Sequence, residues 1–311
     1  MSGPVDREGR RRGIVLRGTG GVWEIDTVGG ERLAATLRGR LKKGDGEKLA
    51  VGDEVWLEQE ARGDTWAIAE ILPRRSVLAR RAPGGAHGER ILVANIDQVV
   101  IVFATAKPEP HVRMLDRFLV IAEANELPAR IVINKVDLSD ERAARERFAD
   151  YDAAGYPMHL TSVITGRGLT ELREALDGRI SALTGPSGVG KSSLLNALYP
   201  GLSLRVGEIS ESVNKGRHTT VGTELHPIPA GGYVVDTPGL REVGVWGIDP
   251  TQLDRCFPEF AALIESCRFA DCTHLHEPGS AVREAVTRGA VSRARWESYA
   301  KLYAEETGGS S

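Results

Sequence analysis

The sequence predicts a three-part α/β protein, and three observations carry that reading. Residues 1–85 hold short strand-like runs separated by Gly-rich turns. Residues 86–245 alternate apolar strands with amphipathic helices, the signature of a mostly parallel sheet covered on both faces. Residues 246–311 turn helical around a cluster of Cys and His.

In the first part, Gly13 to Leu16 and Val22 to Ile25 flank the turn Gly18-Thr-Gly-Gly21. A run from Leu33 to Leu41, then Asp53 to Leu57 and Trp66 to Ile71, complete five strands, enough for a small barrel. Arg38, Arg40 and Lys42 alternate in the third run and would form a basic strand face, either merely solvated or contacting a nucleic-acid backbone; with Lys43 they are the candidates for RNA contact. Arg74, Arg75, Arg80, Arg81 and Pro83-Gly-Gly85 read as a linker.

The second part begins with the near-continuous apolar strand Val99 to Ala104. It continues through helix Met114 to Asn125, strand Arg130 to Ile133, helix Asp140 to Tyr151 and strand Met158 to Thr161. Helix Leu169 to Ala175, strand Ile180 to Leu183 and helix Lys191 to Leu198 follow.

Composition narrows the class. The chain is 41% hydrophobic and 27% charged, which excludes a wholly disordered polypeptide. Its net charge is -3, so any contact with nucleic acid must come from a local patch. Three cysteines do not make a disulfide framework and fit a reducing cytoplasm. The strongest apolar stretch, Val99 to Ala106, is far short of the ~20 residues needed to span a bilayer, and no signal-peptide pattern is visible; a cytoplasmic protein without membrane contact is expected.

Gly185, Pro186, Ser187, Gly188, Val189, Gly190, Lys191 and Ser192 form a phosphate-loop motif between a strand and a helix, and Ser193 continues into that helix. The glycines let backbone N–H groups turn inward as an anion nest, and the helix adds free N–H donors and its positive dipole end. Lys191 is placed to reach the β- and γ-phosphates, and the Ser192 hydroxyl to ligate Mg²⁺.

Asn134, Lys135, Val136 and Asp137 follow a strand directly. An Asp carboxylate there accepts two hydrogen bonds from guanine N1–H and its exocyclic amine; adenine lacks that donor pair and would leave a desolvated carboxylate unpaired. Thr161 and Ser162, after the next strand, are placed to brace the base from the other side. Asp236 ends the strand Tyr233 to Val235, where it would hold Mg²⁺ through water, while the Gly239 N–H would meet the γ-phosphate. In the loop Gly216-Arg-His-Thr-Thr220, Thr219 or Thr220 would complete the Mg²⁺ shell. Base specificity thus precedes the phosphate loop, which precedes both switch segments: the order of a circularly permuted GTPase.

With the motif Ala94-Asn-Ile-Asp-Gln98, Arg38-Gly-Arg40 and the C-terminal Cys/His cluster in the same order, nearly the whole chain resembles the small-ribosomal-subunit-dependent GTPase family (RsgA, also called YjeQ). The resemblance implies an N-terminal OB-fold β-barrel that binds RNA, a central circularly permuted P-loop GTPase domain and a C-terminal, mainly helical, zinc-finger-like domain. It also implies GTP hydrolysis to GDP and phosphate, stimulated by the small ribosomal subunit, in late maturation of that subunit; a monomer suffices for such docking.

Two positions depart from common patterns. Leu240 stands where many GTPases carry a water-orienting Gln, and the family likewise has an apolar residue there; His218, in the loop of Thr219, is the candidate for orienting water, the alternatives being contact with ribosomal RNA or a merely polar loop position. The family's zinc pattern is Cys-x4-Cys-x-His-x5-Cys, and this chain offers Cys267, Cys272 and His274 with Ser280 at the last place. Three ligands alone suit an open site better than a closed structural one; the fourth zinc ligand is not identified by the sequence, and His276 and Cys256 are the candidates to substitute. The alternative is that packing by Phe257, Phe260, Phe269 and Leu275 has replaced the metal.

Overall fold

The computed structural model describes residues 9–39, 48–60, 65–80, 90–204, 223–236 and 248–308. Strands β1 (Arg11–Thr19), β2 (Val22–Thr27), β3 (Arg32–Leu37), β4 (Glu54–Gln59) and β5 (Trp66–Ile71) close a barrel in the order β1-β2-β3-β5-β4. All pairs are antiparallel except β3 with β5, the connectivity of an OB fold. Period-two alternation fills the interior: Val15, Ile25, Ala35, Val55, Leu57 and Ile68 point inward.

The third strand stops at Leu37, four residues short of the expected end. Arg38 lies just past it, exposed and ion-paired to Glu58, so it is not part of a basic strand face. Arg40, Lys42 and Lys43 lie outside the described residues.

The expected linker is a second correction. Arg74 is buried against Asp53, its Nε 2.6 Å from Oδ1 and a terminal nitrogen 2.8 Å from Oδ2. The chain then forms a two-stranded ribbon, β6 (Val77–Arg80) with β7 (Arg90–Ala94). Ala94 to Gln98 fasten the barrel to the next sheet: Asn95 donates to Gly52 O at 2.9 Å, and Asp97 accepts from the Ile180 N–H at 2.7 Å.

The central sheet contains β8 (Gln98–Ala104), β9 (Ala129–Asn134), β10 (Met158–Leu160), β11 (Ile180–Thr184), β12 (Leu225–Pro227) and β13 (Tyr233–Asp236), in the order β10-β9-β8-β11-β13-β12. Only the edge pair β12–β13 is antiparallel. Every residue of β8 is buried, and alternate residues serve opposite layers. Val99, Ile101 and Phe103 meet Leu115, Phe118 and Leu119 of α1 (Val112–Ala124). Val100, Val102 and Ala104 share a core with Leu172 and Leu176 of the helix Leu169–Leu176 and with Leu194, Leu195 and Leu198 of the helix Lys191–Leu198. Each of the Val, Leu, Ile and Phe side chains among these contributes about 1.5–3 kcal/mol on burial.

The single helix expected over Asp140 to Tyr151 is two, α2 (Glu141–Arg147) and α3 (Ala149–Ala153). Asp140 caps the first, accepting from the Ala143 N–H at 3.1 Å. Phe148 interrupts them because its buried ring packs on Tyr151, with centroids 6.3 Å apart, while its N–H closes a tight turn to Arg145 O. The helix after β10 is α4 (Leu169–Leu176), and the one after β11 is α5 (Lys191–Leu198).

The C-terminal helices α6 (Pro258–Ile264), α7 (Ala281–Thr287) and α8 (Arg293–Glu306) enclose Leu253, Phe257, Phe260, Val282, Tyr299 and Leu302. They dock on α1 through Arg295, 2% exposed, which binds Asp116 at 2.5 Å and forks onto Glu259 at 2.7 and 3.1 Å. Tyr151 adds a donor to Asp116 at 2.9 Å. Among the described residues no helix is long and apolar enough to cross a membrane.

Removing the arginine would strand one buried carboxylate, Asp116, and one half-buried one, Glu259. Arg295→Leu is expected to cost about 3–5 kcal/mol of unfolding free energy in denaturant titration. Arg142→Ala, which breaks the exposed pair with Glu146, should change it by less than about 0.5 kcal/mol. Comparable losses in the two variants would contradict the docking role of Arg295.

Candidate functional site

The sheet places every predicted nucleotide motif of known position at one edge. The chain runs from β8 outward to β9 and β10, then returns to the other side of β8 as β11. That reversal makes a topological switch point between β8 and β11, and ligands of open α/β sheets bind outside the carboxyl ends of strands at such a point. In register, Ala104 lies beside Asn134, Thr184 beside Ile101, and Asp236 beside Leu183.

Gly185 turns out of β11 with φ 133°, and a Cβ there would lie 2.0 Å from Val102 O, so only glycine fits. The loop then opens to solvent at Ser187 and Gly188, while Val189 is buried beneath it. Helix α5 starts at Lys191 without a side-chain cap on its first turn, leaving N–H donors facing the loop. Lys191 is buried and its Nζ donates to Gly185 O at 2.9 Å and Pro186 O at 2.8 Å, arching along the inner side of the loop. Ser192 and Ser193 follow, both half-buried.

The Asn134 to Asp137 segment locks onto this loop. Asn134, 2% exposed, donates from Nδ2 to Val189 O at 2.9 Å and accepts from Thr161 Oγ1 at 3.2 Å. Lys135 sits in the left-handed region at φ 60°, and its Nζ donates to Gly188 O at 2.6 Å and to Lys107 O. The approach is close enough that a Cβ on Gly190, at φ 94°, would lie 2.7 Å from Asn134 Nδ2. Val136 is buried, its N–H bound to Thr161 O at 3.2 Å. Asp137 is exposed at the rim, with Oδ1 accepting from Ser162 Oγ at 2.5 Å. Thr161 and Ser162 therefore brace the residues of the base motif. Thr105, at the end of β8, donates to Lys135 O at 2.7 Å; the sequence offered no local signal for it.

Asp236 is the last residue of β13. His218, Thr219, Thr220 and Gly239 lie outside the described residues. On the barrel, Arg17, Thr19, Glu24 and Arg32 line an open groove, and Glu24 holds both arginines, at 2.8 and 3.3 Å.

A second cluster stands among the C-terminal helices. Donor atoms of Cys267, Cys272 and His274 lie within 4.8 Å of one another. His274 Nε2 faces Asp254 at 3.2 Å, leaving Nδ1 toward Cys267 Sγ at 3.6 Å and Ser280 Oγ at 3.4 Å. Two sulfurs, an imidazole nitrogen and a carboxylate behind the imidazole suit a zinc-type ion, and the Ala281 N–H already points at Cys267 Sγ, 3.3 Å away. Burial pushes the Cys272 thiol up, partly opposed by Ser280 and the His274 backbone.

Neither expected fourth ligand belongs to this cluster. His276 is exposed, its N–H bound to Glu277, and Cys256 is buried in the helical core with Sγ 3.6 Å from Gln252 O. Burial there pushes the Cys256 thiol up to about 12. Of the side chains expected to replace the metal, Phe257 and Phe260 stack on each other with centroids 5.1 Å apart, Phe260 lies edge-on to His274 at 6.3 Å, and Phe269 is 41% exposed. Asp254 and Glu277 support the cluster from positions with no motif to announce them.

The family model described as RsgA GTPase matches residues 71–246. Curated relatives include the small ribosomal subunit biogenesis GTPase RsgA of Gemmatimonas aurantiaca, 62% identical over 299 residues and covering 95% of this chain and 97% of that one. The protein of the same description from Thermotoga maritima is 42% identical over 303 residues, covering 96% and 98%. Among solved structures, YjeQ from Thermotoga maritima superposes with a TM-score of 0.80 at 39% identity, covering 96% of this chain and 99% of that one. YloQ, described as a circularly permuted GTPase, gives 0.77 at 28% identity, covering 100% and 99%. The match of that family model over more than half of the chain, and relatives this similar over nearly its whole length, show that the chain belongs to the RsgA GTPase family.

Proposed function

We propose that this GTPase acts on the small ribosomal subunit, in the late stage of its maturation, gripping it with GTP bound and letting go after hydrolysis. The observation that supports the nucleotide assignment is the pair of bonds from Asn134 and Lys135 to the phosphate loop, which brings the Asn134–Asp137 segment against that loop. The ribosomal assignment is supported by relatives described as small ribosomal subunit biogenesis GTPases.

In this reading Asp137 accepts the guanine N1–H and amine, Ser162 and Thr161 steady the base motif, and backbone N–H groups of the loop from Ser187 to Ser193 hold the phosphates. Lys191 stabilises charge on the β- and γ-oxygens. Mg²⁺ would be held by the Ser192 hydroxyl, by Thr219 or Thr220, and by Asp236 through water, with the Gly239 N–H on the γ-phosphate. His218 orients the attacking water that Leu240 cannot hydrogen-bond. A zinc ion would sit among Cys267, Cys272 and His274. The barrel, with Arg38, Arg40, Lys42 and Lys43, meets ribosomal RNA. The protein works as a monomer in the cytoplasm, away from membranes.

Three measurements test this. GTP turnover should rise across a titration of purified small subunits; a flat response would leave only a nucleotide-binding scaffold. His218→Ala should lose most of that stimulation while still binding GTP, and full stimulation would remove its role. Gly190→Ala should weaken GDP and GTP binding at least about tenfold, because its methyl displaces Asn134 from the loop; unchanged affinity in a fluorescent-nucleotide titration would contradict the clasp.

A further inference from the structure

Three of the four corners of the C-terminal cluster carry strong donors for a soft or borderline metal; the fourth does not. Ser280 stands there, 1% exposed, with Oγ 3.4 Å from His274 Nδ1. Its oxygen also caps α7, accepting from the Arg283 N–H at 3.4 Å. A neutral hydroxyl already serving a helix end is a weak ligand beside two thiolates and an imidazole.

The other oxygens nearby are committed. Glu277 Oε2 lies 3.8 Å from Cys272 Sγ, but it accepts from the Leu275 and His276 N–H groups at 3.2 Å each. Its Oε1 accepts from the Thr273 N–H at 3.0 Å and from the Thr273 hydroxyl. Asp254 is engaged with the far nitrogen of His274. The carboxylates therefore hold the ligand turn in place and leave the fourth corner unfilled by any strong side-chain donor among the described residues.

We propose that the cluster binds a divalent zinc-type ion through Cys267, Cys272 and His274 only, and keeps one coordination position open to water and to external monodentate ligands such as a small thiol. In that exchange the water leaves, the thiolate sulfur bonds to the metal, and the thiol proton passes to solvent. Three protein ligands with an exchangeable fourth describe an open site, unlike a closed four-ligand structural one. The inference rests on the cluster holding metal, as proposed above.

Cobalt(II) substitution of the full chain, kept reduced with a phosphine, reads the coordination directly. The wild type should show thiolate-to-cobalt absorption bands that shift on addition of 2-mercaptoethanol. Ser280→Cys should raise the charge-transfer intensity by about half, from two thiolates to three, and abolish that shift. Its zinc, measured against a chromogenic chelator, should be held at least about tenfold more tightly. Ser280→Ala should keep the wild-type bands. Wild-type bands indifferent to added thiol, or bands altered in Ser280→Ala, would overturn the open position while leaving metal binding intact. No cobalt bands at all would overturn both; since the thiol titration uses the unmodified protein, a variant that fails to fold does not obscure the result.

Discussion

The hydrogen bond from Asn134 Nδ2 to Val189 O is the constraint on which the nucleotide site depends. Asn134 ends β9 and Val189 belongs to the loop after β11, with β8 lying between those strands. Neighbouring strands are about 4.8 Å apart, so two strands on either side of a third are separated by roughly 10 Å. Their loops meet only by leaning over the end of β8. Thr105 receives that lean from beneath through its bond to Lys135 O, and Gly190 permits it by having no Cβ. Burial makes the arrangement unforgiving, since an amide left unpaired at this depth costs about 1–3 kcal/mol.

The same geometry explains why chain order is free to change. The site needs strands in a given spatial order with their carboxyl ends on one side; it does not need them threaded in a given sequence. What the permuted order alters is the exit. In sequence β13 is followed by the C-terminal helices, and those helices are tied back to α1 by Arg295 and Asp116. Helix α1 itself follows the segment whose Lys107 carbonyl accepts from Lys135. The helical domain is thus connected to the nucleotide edge by covalent continuity on one side and by a buried ion pair on the other.

Much of this was legible because it is local. The phosphate loop, the base motif and the alternation of β8 each depend on residues a few positions apart, so periodicity and spacing report them. What was not legible depends on partners far along the chain. Arg74 looks like one of several exposed linker arginines until Asp53 is brought beneath it. Phe148 looks like one more apolar position on a helix, yet its ring packs inward and its N–H closes a turn that splits the helix. Arg38 belongs by pattern to a strand that ends one residue earlier. Asp254 is 20 residues before His274 and carries no motif; only folding shows that it selects which imidazole nitrogen faces the sulfurs.

The C-terminal cluster extends this argument to how a site tolerates a changed ligand. Where coordination alone orders a turn, loss of one ligand removes the turn's main support. Here the turn has other supports. Glu277 gathers three backbone N–H groups and one hydroxyl between Thr273 and His276, Trp296 Nε1 donates to His274 O at 2.8 Å, and Tyr299 donates to Thr273 O at 2.8 Å. Burial alone would raise the Glu277 carboxyl, but the Thr273 hydroxyl and the backbone N–H groups outweigh it and hold it down to about 2. A carboxyl held below its ordinary value of about 4.3 contributes its stabilisation above that value and loses it only as pH falls toward the lowered one. The turn is therefore stapled throughout the neutral range by bonds that do not involve the fourth corner. Exchanging a thiolate there for a hydroxyl that caps α7 alters what the cluster offers a metal more than it alters the fold around it.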